Sequence, residues 1–174
     1  MKIALTVCVT IGIFAATVAG KDDLQHKYAG LSGCAPEFKW APGTYSIRLD
    51  KRQRTRLAAH TINEKNVLTI VQYKDDNDQC GVVRDAVQSD KPGDFFEFDC
   101  TDQNRPSMVV VGTRPENDPK VSGRAVQAWR VDLDTLRFVV DDREVTCVRR
   151  SYAGSDEGED LATWARQRAE KHQK

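Results

Sequence analysis

Residues 44–150 are built from short runs rich in β-branched and aromatic residues, with turn-forming residues breaking them roughly every 8–15 positions, the spacing of an all-β sandwich or barrel. Nine strands are expected, at 45–49, 57–62, 67–73, 81–87, 95–100, 108–112, 125–132, 136–140 and 145–149. The alternation is cleanest near the end of this region. Gln127, Trp129, Val131 and Leu133 share one face, Arg130 and Asp132 the other, and Leu136, Phe138 and Val140 repeat the pattern. Period two with one apolar face describes a half-buried antiparallel strand. The short stretch Leu133-Asp134-Thr135-Leu136 leaves no room for a parallel crossover, so these two runs form a hairpin.

Register arithmetic suggests two more hairpins. If 81–87 and 95–100 fold about Asp90, with Ser89, Lys91, Pro92 and Gly93 in the turn, Cys80 falls opposite Cys100 and Val82 opposite Phe98. Opposed Cα atoms lie about 4.5–5.5 Å apart, within disulfide reach. This predicts Cys80–Cys100 and, by elimination, Cys34–Cys147. The register has one discord: Arg84 lands on the apolar face opposite Phe96. The other hairpin joins 57–62 to 67–73 through Asn63-Glu64-Lys65-Asn66, which places Arg54 across from Asp75 and Arg52 near Asn77.

The flanks differ from the middle. Residues 1–20 contain one charge, Lys2, then an uncharged and mostly apolar run, then Thr17-Val18-Ala19-Gly20. That order is a secretory signal peptide with cleavage after Ala19 or Gly20, and the run is short for a spanning helix. Residues 21–43 hold Gly30, Gly33, Pro36, Pro42 and Gly43 and read as an irregular lead-in, pinned by Cys34 and by Phe38 or Trp40. In 151–174 the acids Asp156, Glu157, Glu159 and Asp160 precede the bases Arg166, Arg168, Lys171 and His172, an order that suits the helix dipole. A helix from about 156 to 170 is expected, docked through Leu161 and Trp164.

Five cysteines occur, and removal of the leader takes Cys8. The remaining four, Cys34, Cys80, Cys100 and Cys147, are an even count in an oxidising compartment and read as two disulfides. No closely spaced C-x-x-C pair suggests zinc. The expected location is therefore secreted or periplasmic, with no stable membrane insertion once the leader is gone.

The 26 basic and 26 acidic residues cancel, which argues against a dedicated nucleic-acid binder. No G-x-S-x-G, H-E-x-x-H or P-loop is present, so no catalytic set and no cofactor are read from motifs. Five constellations remain. The basic stretch Arg48, Lys51, Arg52, Arg54 and Arg56 suits an anionic partner, unless the acidic stretch Asp75, Asp76 and Asp78 neutralises it across the hairpin. That acidic stretch lacks the Gly and Glu of a calcium loop. His60 is the one histidine within the β region. The acids Asp132, Asp134, Asp141, Asp142 and Glu144 are in part turn residues. Of the tryptophans, Trp129 and Trp164 lie on apolar faces, while Trp40 lies in a loop and is the best exposed candidate. The sequence thus favours a binding module for an extracytoplasmic protein or glycan, with Trp40, Arg52, Arg54 and Arg56 as candidate contacts. The alternative is a small secreted hydrolase working at His60 or an Asp/Glu pair.

Overall fold

The computed structural model describes residues 27–40, 46–49, 54–75, 77–105, 107–149 and 161–171, with Lys39 and Trp40 described in the backbone only. Residues 1–20, expected to be a leader, the helix start expected near 156, Lys51, Arg52 and Asp76 lie outside them. The described chain is two antiparallel sheets and one helix, an open sandwich rather than a closed barrel.

The first sheet contains β1 (Lys39–Trp40), β2 (Ile47–Arg48), β3 (Thr55–Ile62), β4 (Lys65–Gln72) and β5 (Val82–Gln88). Its order is β1–β3–β4–β5, with β2 also paired to β3. The β3–β4 turn is tighter than the sequence suggests. Ile62 faces Lys65, and only Asn63 and Glu64 turn the chain, with φ of 50° and 64°. Positive φ at both central residues defines the type I′ turn, whose twist matches the strands it joins. The register shifts by two residues, so Arg54 meets Tyr73, whose N–H donates to the Arg54 carbonyl at 2.7 Å, and Asp75 is not its opposite.

The second sheet contains β6 (Asp94–Asp102), β7 (Val110–Pro115), β8 (Ser122–Arg124), β9 (Gln127–Asp132), β10 (Arg137–Val140) and β11 (Val145–Val148), in the order β10–β9–β7–β6–β11–β8. The β9–β10 hairpin forms as expected, with Arg137 opposite Asp132. The expected β5–β6 hairpin does not. β5 pairs with β4, whereas β6 lies between β7 and β11, so the Ser89–Gly93 turn carries the chain from one sheet to the other.

That correction re-pairs the cysteines. Two disulfides are present, but they join Cys34 to Cys80 and Cys100 to Cys147. Cys100 and Cys147 are direct partners across β6 and β11. Cys34 meets Cys80 where Ser32 bridges to Val82 at the start of β5. Intramolecular disulfides of this kind suit an oxidising, extracytoplasmic environment. Among the described residues no helix is long and apolar enough to cross a membrane.

Between the sheets lies the main core. It contains Leu57, Ala59, Leu68 and Ile70 from the first sheet and Phe96, Phe98, Val111, Trp129, Val131 and Phe138 from the second. Helix α1 (Leu161–Lys171) adds Leu161 and Ala165 to this core. Arg168 anchors the helix by donating to the Cys100 carbonyl at 3.0 Å, to Thr101 Oγ1 at 2.6 Å and to the Met108 carbonyl at 3.2 Å. Its guanidinium also lies 4.2 Å from the Trp164 ring centre.

A bulge resolves the Arg84 discord. Ile70 faces Asp85 and Val71 faces Val83, which leaves Arg84 as the extra residue, pointing to solvent. Bulges re-aim the side chains that follow. Here Asp85 is buried, and its Oδ2 accepts the Phe138 N–H of β10 at 2.7 Å. One carboxylate thus joins the edge strands of the two sheets and caps an edge N–H.

The outer face of the first sheet is covered by residues 27–38, here called the strap, which lead into β1. Tyr28 and Phe38 are buried against Ala58, Val67, Val71, Val83 and Ala86. Each buried ring contributes roughly 2–3 kcal/mol of transfer free energy. The second sheet covers its own outer face. Ala125 donates to Val145 of β11 and Val126 to Thr113 of β7, so the run from β8 into β9 bends from one strand to the other. The sheet curls round Cys100, Cys147, Val110, Ala128 and Val145. Gly112 is required at the tightest point, where a Cβ would stand 2.7 Å from Cys147 Sγ and 2.8 Å from Ala125 Cβ.

Candidate functional site

The basic stretch survives as a cluster. β2 sets Arg48 opposite Arg56, and β3 sets Arg54 opposite Tyr73. Residues 54, 56, 58 and 60 of one strand share a face, so these arginines continue the outer face of the first sheet beyond the part that the strap covers. Arg54 is exposed, and Arg48, Arg56 and Tyr73 are half-buried. The Arg56 guanidinium lies 5.3 Å from the Tyr73 ring centre and donates to Ser46 Oγ at 3.4 Å, while its buried Nε has no partner. Burial raises the Tyr73 hydroxyl pKa, Arg56 opposes that rise, and Asp78 adds to it.

Among the described residues none of the three arginines makes an ion pair. The expected facing of Arg54 by Asp75 fails because of the shorter turn. Asp78 is near enough to act on Tyr73, but its carboxylate serves the backbone. It accepts N–H groups from Lys74 at 3.0 Å, Cys80 at 3.2 Å and Gly81 at 2.9 Å, and those bonds hold its pKa below the usual carboxylate value. Asp75 likewise accepts the Asn77 N–H at 2.9 Å. Asp75 and Asp78 therefore act as caps for the backbone of their own loop.

Trp40 departs from expectation in its backbone, which is not loop but β1, paired with His60. Tyr73 was not among the candidates read from sequence. The two-residue turn, which sets it against Arg54, is the signal that finds it.

His60 packs in a row of tilted rings with Phe38 and Tyr28. It is 1% exposed, its ring lies 4.8 Å from that of Phe38, and Nε2 is 3.0 Å from Thr69 Oγ1. Thr69 Oγ1 donates to the Ala58 carbonyl at 3.1 Å. A hydroxyl has one proton to give, so it accepts from Nε2–H and fixes the neutral tautomer. Burial lowers the His60 pKa from 6.5 to about 4. With the Thr69 proton on the Ala58 carbonyl, Nε2 carries the imidazole proton and donates to Thr69 Oγ1.

The acids at the curl are likewise engaged. Asp102 and Asp141 are both buried, and Arg143 binds the first at 2.6 Å and the second at 3.0 Å. Arg105 adds contacts of 3.2 Å and 3.9 Å to the same two carboxylates. Burial, followed by the neighbouring Asp102, raises the Asp141 pKa. Sequence reading named Asp141 but not Asp102 or the two arginines. At the opposite end of the curl Arg114 is wholly buried, donating to Asp118 Oδ2 at 2.8 Å and to the Lys120 carbonyl at 2.7 Å. Glu97 lies 3.9 Å from Arg114 and 3.3 Å from Arg149. Among the described residues no group of three or more His, Cys, Asp or Glu is placed to hold a metal ion.

Comparison with known proteins gives no match, whether against protein-family models, curated proteins or solved structures.

Proposed function

We propose that this chain is an exported binding module that takes an anionic extracytoplasmic protein or glycan at the basic end of the first sheet's outer face. The observation that carries this reading is a row of arginines without an ion-pair partner among the described residues: Arg48 opposite Arg56, Arg56 over the Tyr73 ring, and Arg54 opposite Tyr73. Guanidinium groups present planar forks of donors suited to carboxylate, sulfate and phosphate oxygens. Two disulfides hold the small domain rigid, so the cluster is presented on strands rather than on a loose loop.

Binding of the full chain to a sulfated polysaccharide and to an acidic protein, measured against salt, tests the site and separates the two partner classes. Arg54→Ala with Arg56→Ala should weaken binding by at least roughly tenfold and flatten its salt dependence. Equal binding by the double variant would remove the site. Recovery of the chain from medium or envelope extract, with its mature N-terminus weighed by mass spectrometry, tests export separately.

A further inference from the structure

We propose that Cys34–Cys80 is a thiol–disulfide exchange site, opened at Cys34 by a low-molecular-weight dithiol, and that its opening loosens the strap from the first sheet. This goes beyond the binding reading and does not depend on it. The two bridges close loops of nearly equal length, 46 and 47 residues, but differ in access. Cys34 is exposed and Cys80 half-buried, whereas Cys100 and Cys147 are both 0% exposed inside the curl. A thiolate must reach a sulfur atom to attack it, and Cys34 is the most exposed of the four cysteine residues.

The exchange balances as follows. A thiolate of the reagent attacks Cys34 Sγ and forms a mixed disulfide. The Cys34–Cys80 bond breaks, and its electron pair leaves on Cys80 Sγ, which takes a proton from water. The second thiol of the reagent then attacks the mixed disulfide, closes the reagent into a cyclic disulfide and releases Cys34 as a thiol. Two electrons and two protons have passed to the protein, and the dithiol has been oxidised.

The fold determines which part then moves. On the β5 side, Asp78 holds the loop through backbone N–H groups of Lys74, Cys80 and Gly81, none of which uses a bridge sulfur. On the strap side, the hold beside the bridge consists of three backbone bonds: Gly30 N–H to the Val83 carbonyl at 2.8 Å, Val83 N–H to Leu31 at 2.9 Å, and Gly33 N–H to Gly81 at 3.1 Å. The crossing is close, since a Cβ on Gly33 would strike the Cys80 carbonyl and come within 3.2 Å of a Val71 methyl. The bridge therefore clamps a crossing that has three backbone bonds beside it among the described residues, over a face that carries Tyr28, Phe38 and His60.

The test is reduction of the native full chain with dithiothreitol, timed alkylation with peptide mass mapping, and amide hydrogen exchange before and after. Cys34 and Cys80 should become alkylated at least roughly tenfold faster than Cys100 and Cys147. A transient adduct should sit on Cys34. The amides of Gly30, Gly33 and Val83 should exchange at least roughly tenfold faster after reduction, with β6 and β11 unchanged. The Cys34→Ser/Cys80→Ser variant should show the same fast amides without reductant. Equal reduction of both bridges, an adduct on Cys80, or unchanged exchange at those three amides in the reduced chain would overturn the proposal.

Discussion

The two sheets solve one problem in opposite ways. Each has an outer face that would otherwise expose apolar side chains, and each is tied by one disulfide of similar loop length. The first sheet is covered by an irregular strap whose bridge is open to solvent. The second covers itself through its own ladder, with its bridge inside. Its ends are closed by ion pairs, Arg114 with Asp118 at one and Arg143 with Asp102 and Asp141 at the other. The difference teaches that a disulfide's worth depends on what surrounds it. A cover made by the ladder is held at every residue, while a cover made by a strap depends on a few anchors.

The sharpest way to break the comparison is to remove each bridge in turn. Chain entropy alone assigns each loop about 4 kcal/mol. Cys100→Ala/Cys147→Ala should cost more than Cys34→Ala/Cys80→Ala by about 1–2 kcal/mol, because it also leaves a cavity in the curl. Urea denaturation of both variants measures this, and equal losses would erase the distinction. Next, Arg114→Ala should also destabilise clearly, by more than about 1 kcal/mol, because it empties the site of a wholly buried side chain and leaves the buried Glu97 with Arg149 alone. A loss below 1 kcal/mol, by the same measurement, would show that this end of the curl is not sealed by charge.

The third test concerns the strap. The unfolded chain binds a proton at His60 near pH 6.5, the folded protein only near pH 4. Between those values the unfolded state holds more protons, so stability falls as the pH drops, by about 3 kcal/mol in all. Glu97 and Asp141, raised by burial, act in the opposite sense, because the folded state takes up their protons first. The difference between wild type and His60→Gln, followed by urea midpoints from neutral to acid pH, isolates the histidine. Parallel pH profiles would show that His60 does not couple strap to protonation. The smallest effect is expected at the seam. Asp85→Asn keeps an acceptor for Phe138 but loses the charge, and should cost about 1–2 kcal/mol in thermal or urea unfolding.

The longer strands were legible in the sequence, because period-two alternation is a local signal, whereas β1 and β8 are two and three residues long and too short to show it. The β9–β10 hairpin followed from a connection too short for anything else. Partner choice was not local. Ser89, Asp90, Lys91, Pro92 and Gly93 have the chemistry of a turn, but turn chemistry does not say whether the next strand returns to its neighbour or crosses to another sheet. The wrong hairpin then paired the wrong cysteines. Cys100 finds Cys147 through the long-range pairing of β6 with β11, for which no short motif exists. Arg84 was the internal warning, and the bulge is its cause. At the site, composition pointed to Arg54 and Arg56, whereas their neutralisation by Asp75 failed on a two-residue change in turn length. Arg114 could not be read as buried, since its partners come from a loop and from β11.

The placement of β6 between β7 and β11 also governs how the molecule can be made. A ribosome delivers β6 and β7 well before Val145, so the growing polypeptide carries a central strand with one edge unoccupied until its last strand appears. The ribbon β10–β9–β7–β6 can pair ahead of β11, but the free side of β6 and the short β8 gain their partner only when β11 has been made.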